Sequence, residues 1–115
     1  MELIAKVEVR NERHVYADGG NYVVAHIDSK GMEHRTSIPA AAVNHLHDLC
    51  RGQTVTMAEV GERVAAFAKQ YRLPYHYGYK LDHYALEMLV IMVAEGRAEH
   101  WKEGRGFFFS VINTP

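Results

Sequence analysis

ALEMLVIMVAEGRAEHWKEGRGFFFSV, residues 85 to 111, joins a long apolar run to a Glu-Gly stop and a glycine-punctuated pair of strand-like segments. Between Ala85 and Ala94 only Glu87 is not apolar, so this stretch predicts a helix from about Leu81 to Glu95, with Gly96 taking the left-handed position past its end. RAEHWK and FFFSVI then flank Glu103-Gly104-Arg105-Gly106, a composition that favours a hairpin turn. Phe107, Phe109 and Val111 fall on one side of the last strand and Phe108 and Ile112 on the other; Trp101 is expected in the core.

Upstream of this stretch, Pro39 suits the first turn of a helix, predicted over about Ala40 to Cys50 and ended by Gly52. Thr56 and Glu59 have capping-box spacing, and Val60, Val64, Phe67 and Ala68 follow at helical period, which predicts a second helix over about Met57 to Tyr71. Pro74 and Gly78 break the pattern before the third helix begins. At the amino terminus Leu3, Ala5, Val7 and Val9 alternate with Glu2, Lys6 and Glu8, the pattern of a half-buried strand. Asp18-Gly19-Gly20-Asn21 and Asp28-Ser29-Lys30-Gly31 supply two turns, so residues 2 to 38 read as an antiparallel β-meander of three or four strands. The expected fold is a single α+β domain over residues 1 to 115, a meander followed by three helices and a hairpin over 40 to 112.

At 115 residues the chain is long enough to hold a core without staples. Its 13 basic and 14 acidic side chains are balanced, which removes the argument for a strongly basic nucleic-acid-binding domain and leaves only local patches. The single cysteine, Cys50, has no partner for an internal disulfide and fits a reducing compartment. MELIAKVEVR lacks the apolar run of an export signal, and the aliphatic run from Met88 to Ala94 falls far short of the roughly 20 residues that cross a bilayer. A cytoplasmic protein with no membrane span is expected.

Helix, a short extended piece at GQTVT, helix, helix and hairpin is an order of elements that resembles a winged-helix domain. The stretch from Ala85 to Val111 is similar in texture to the third helix and wing of such proteins. The resemblance implies DNA binding, with the hairpin as wing. The meander stands outside the pattern, and the connection from Arg72 to Lys80 is longer than the usual turn.

A groove-reading helix offers Arg, Lys, Asn or Gln to base edges. At about 100° per residue, the third helix instead puts His83, Glu87, Val90, Ile91 and Ala94 on one face, a strip that begins with a histidine and an acid and ends apolar. Such a strip needs cover, either from the N-terminal sheet or from a second copy of the chain, so Glu87, Val90, Ile91 and Ala94 are candidate homodimer contacts. Phosphate contact is better placed on the hairpin, where Arg97, His100, Lys102 and Arg105 gather around a glycine-rich tip; Arg72 and Lys80 extend the basic set. Residues 71 to 84 carry five of the seven tyrosines. Tyr71, Tyr75, Tyr77 and Tyr79, with His76 and His83, read either as a platform for a planar ligand or partner or as rings that seal the core edge.

His83 and Glu87 also have chelating spacing, with His76 or His45 as a third ligand, but there is no HExxH and no second cysteine, and no metal or cofactor is expected. Cys50, with His47 three residues earlier, is a weak candidate nucleophile, and no paired carboxylates or phosphate loop accompany it. The sequence therefore reads as a non-catalytic binding module. Its expected partner is nucleic acid held by the wing; the alternatives are a protein-interaction or homodimerisation module and, third, a small-ligand or enzyme site at the tyrosine and histidine cluster.

Overall fold

Period-two alternation at the amino terminus becomes four antiparallel strands in the computed structural model, which describes residues 1–73 and 81–113. They are β1 (Glu2–Val9), β2 (Asn11–Asp18), β3 (Asn21–Ile27) and β4 (Glu33–Pro39), paired in sequence order as a four-stranded meander. Asp18 pairs with Asn21 across Gly19 and Gly20, and Gly19 takes φ +64, which glycine adopts without a Cβ penalty. The β3–β4 turn is held by Asp28, whose Oδ1 accepts from the N–H groups of Lys30 and Met32, both at 2.9 Å. Inward-facing Val7, Val9, Val15, Val24 and Ile38 are buried and make one wall of the core.

The chain then turns directly into α1 (Ala40–Cys50), crosses β5 (Thr54–Thr56), and forms α2 (Met57–Phe67) and α3 (Leu81–Ala94) before the hairpin of β6 (Ala98–Glu103) and β7 (Gly106–Val111). β7 is the middle strand of a second, three-stranded sheet, between β5 and β6. Thr56 caps α2 by accepting from the Glu59 N–H, the arrangement its spacing predicts. Helix α2 is shorter than expected, ending at Phe67 and not Tyr71. Beyond Phe67 the chain closes tighter turns, Gln70 N–H to Phe67 C=O and Arg72 N–H to Lys69 C=O, and Arg72 takes φ +53.

At the end of α3, Gly96 takes φ +73. Its N–H donates to Val93 C=O, and the Arg97 N–H to Met92 C=O, a paired closure that satisfies two of the last carbonyls. This helix is central. It packs against α1, α2, β6 and the strands β1 to β3, and Met88, Leu89, Val90, Ile91 and Met92 have no exposed surface. Burial on this scale is worth about 2 kcal/mol per large apolar side chain. The four-stranded sheet supplies the cover that the apolar strip needs, and Glu87, Val90 and Ile91 lie inside the chain. Among the described residues no helix is long and apolar enough to cross a membrane.

Trp101 corrects the expectation that it joins the core. It pairs with Phe108, on the side of the small sheet opposite buried Phe109, and is 38% exposed, with the two rings stacked at 5.9 Å. The pairing of β6 with β7 fixes its side, because residues opposite one another share a face.

Candidate functional site

Among the described residues two places concentrate charged and aromatic side chains. The first is where the β6–β7 hairpin meets the β1–β2 turn. Val9 pairs with Asn11, so Arg10 alone makes that turn, at φ +65, a left-handed conformation that costs a non-glycine residue about 1 kcal/mol. Its guanidinium carbon lies 5.8 Å from the centre of the Phe107 ring. Lys102, the cross-strand partner of Phe107, puts its Nζ 5.6 Å from the same centre. Both distances are within cation–π range. Arg105, from the hairpin tip, lines a cleft of about 180 Å³ with Arg10, Phe107, Thr56 and Met57. The first turn of α2 borders this cleft, where Thr56 Oγ1 donates to Glu59 Oε1 at 3.1 Å.

The second place is buried between the four-stranded sheet and α3. Arg13 reaches across from β2 to Glu87, Nη1 to Oε1 at 2.7 Å, and both side chains are almost wholly enclosed. Arg13 Nε also donates to Val9 C=O at 3.3 Å, and Nη1 lies 3.2 Å from His26 Nδ1. His26 stacks on His34 with ring centres 5.1 Å apart, His34 Nε2 meets Asp28 Oδ2 at 2.7 Å, and His83 Nε2 lies 3.4 Å from Thr36 Oγ1. Burial, opposed in part by Arg13, raises Glu87 to about 7. Burial and the nearby Arg13 charge hold His26 and His83 below the usual imidazole range, while the hydrogen bond from His34 holds Asp28 below the usual carboxylate range.

The structure separates the residues singled out in the sequence. Arg105 lines the cleft, Lys102 lies against the ring of Phe107, and His100 stacks on Phe109. Arg97 is engaged elsewhere: Nη1 donates to Asn44 Oδ1 at 2.9 Å and Nη2 pairs with Glu95, which ties the base of the β6–β7 hairpin to α1. Arg72 is in the turn after α2. Tyr71 packs on Phe67 and shares a hydrogen bond with His45 Nδ1 at 2.8 Å, so it seals the α1–α2 edge. His83 belongs to the buried network. Tyr75, His76, Tyr77, Tyr79 and Lys80 lie outside the described residues. Val90 and Ile91 are fully buried and Ala94 half-buried, and Glu87 faces Arg13.

His83 and Glu87 do not make a chelate, since Glu87 is taken by Arg13, and among the described residues no three His, Cys, Asp or Glu side chains are grouped to hold a metal ion. The near-parallel stack of His26 on His34 explains why proximity alone does not make a ligand set. Burial pushes the Cys50 thiol up, only partly offset by Arg63, whose Nη1 donates to Sγ at 3.1 Å, which is the opposite of an activated nucleophile. Two functional candidates escape a reading of sequence alone. Arg10 sits at a turn with no glycine to announce it. Arg13 is in phase with Val15 and Ala17, and that phase was the available signal that it points inward. No family model, curated protein or solved structure matches this chain.

Proposed function

We propose that the chain is a non-catalytic binding module that takes the phosphate backbone of nucleic acid at the wing cleft. The observation that carries this reading is the arrangement of Arg10 and Lys102 over Phe107, with Arg105 in the same cleft. Guanidinium groups oriented on a ring keep their N–H edges for phosphate oxygens, and aromatic surface beside cations suits unpaired bases. The order α1, β5, α2, α3, β6, β7, with β5 paired to β7, supports a winged-helix-like reading of residues 40 to 112. The covered face of α3 argues against insertion of that helix in a major groove, so the wing makes the contact and single strands are the favoured ligand. Cytoplasmic residence fits the free, buried Cys50.

Fluorescence anisotropy with labelled single-stranded and duplex oligonucleotides, across about 50 to 200 mM salt, tests this. Three phosphate contacts predict a log–log slope of about −2 for single strands and nearly −3 for duplex. Replacing Arg10, Lys102 and Arg105 together with Ala is expected to abolish binding. No binding at low salt, or affinity indifferent to salt, would rule the reading out. Salt-indifferent capture of a protein instead favours a second reading, a protein-interaction surface, motivated by the exposed Trp101 stacked on Phe108.

A further inference from the structure

Arginine has only donors, so the 3.2 Å approach of Arg13 Nη1 to His26 Nδ1 has one chemical meaning: Nδ1 offers a lone pair. His26 is then neutral, with its proton on Nε2. A proton on Nδ1 would set N–H against N–H and place a second cation beside Arg13, which is 3% exposed and has little water to screen it. Arg13 cannot retreat without releasing Glu87 on α3 and the Val9 carbonyl at the β1–β2 turn, because the same guanidinium holds both.

We propose that His26 is a proton-operated latch between the four-stranded sheet and α3: neutral, it seats Arg13 on Glu87; protonated, it expels Arg13 and frees that corner of the sheet from the helix. Among the described residues the groups that face His26 are Arg13 from β2, His34 from β4, Asp28 from the β3–β4 turn and His83 from α3. Arg13 and any protonated histidine oppose a charge on His26, and Asp28 favours it. The depressed titration of His26 and His83 agrees with this geometry: the closed form is favoured above the ordinary imidazole range and loses that advantage as pH falls below about 6.5. Glu87 acts in the other sense, since a raised carboxyl takes up its proton in the closed form first and favours closure as pH falls. The contribution of His26 is therefore read by a variant that retains Glu87.

His26→Asn serves, because the Asn amide oxygen can replace the Nδ1 lone pair and cannot be protonated. Amide hydrogen exchange, corrected for intrinsic rates, is compared between pH 7.5 and about pH 5 for Glu87 to Ile91 and for the β1–β2 strands, with the β6–β7 hairpin as internal reference. Relative to the hairpin, the ratio of protection at about pH 5 to protection at pH 7.5 in the first two regions is expected to be at least threefold lower in the native chain than in His26→Asn, a comparison in which the contribution of Glu87 is common to both proteins. An equal ratio in the two proteins overturns the proposal. Imidazole ¹⁵N shifts in the native chain give a test independent of any variant: the Nε2–H tautomer at pH 7.5 supports the latch, and an Nδ1–H tautomer, or titration at or above the ordinary value, overturns it.

Discussion

Arg10 occupies a backbone conformation that glycine adopts freely, yet it carries one of the two cations that line the cleft beside the β6–β7 hairpin. A strained residue placed where a ligand would bind is a reason to look for function there. Arg10→Gly relieves about 1 kcal/mol of backbone strain and forfeits a cation–π contact of similar size, so the melting temperature is expected to move by no more than about 2 °C. The same change is expected to lower the salt slope of nucleic-acid binding by about one. Unchanged binding would remove Arg10 from the site. Sequence could not single out this arginine, because its role depends on a one-residue turn that lacks glycine and on a ring that lies almost a hundred positions away in the chain.

Elements whose signals are local were the readable part of the sequence. Thr56 and Glu59 announced the start of α2, and the Glu95-Gly96 stop and the glycines of the wing announced the end of α3 and the hairpin, because each feature is closed by hydrogen bonds a few residues apart. Where side-chain packing decides the outcome, local signals fail: helical period predicts α2 as far as Tyr71 although it ends at Phe67, and the apolar character of Trp101 predicts a core position although cross-strand pairing puts it outside. Gly96 permits a direct check. Nothing lies within 4 Å of a Cβ built there, so Gly96→Ala carries only the cost of φ +73, about 1 kcal/mol or about 4 °C in thermal melting. Gly20→Ala, with equal space and no positive φ, is expected to be neutral within about 0.5 kcal/mol. Equal losses at both positions would contradict the assigned closure of α3.

For the molecule as a whole, the decisive event is the packing of an N-terminal sheet over the most apolar helix, a contact between segments more than 70 positions apart that no periodicity specifies. Its polar anchor is the Arg13–Glu87 pair. Removing one member strands a buried charge, so Glu87→Leu is expected to cost about 3–5 kcal/mol, while Arg13→Met with Glu87→Leu recovers most of that loss; urea unfolding of the single and double variants measures the difference. Additive losses would show that the pair does not act as a unit. Burial of Val90 and Ile91 in this layer also covers the strip that the sequence offered to a second copy, while the cleft beside the β6–β7 hairpin is open to the outside. The β6–β7 hairpin also carries the chain's one tryptophan, part-exposed and stacked on Phe108. That position gives the protein a built-in optical reporter: a nucleobase or partner ring settling on Trp101 would quench or shift its emission, so occupancy of this surface can be followed without attaching a dye.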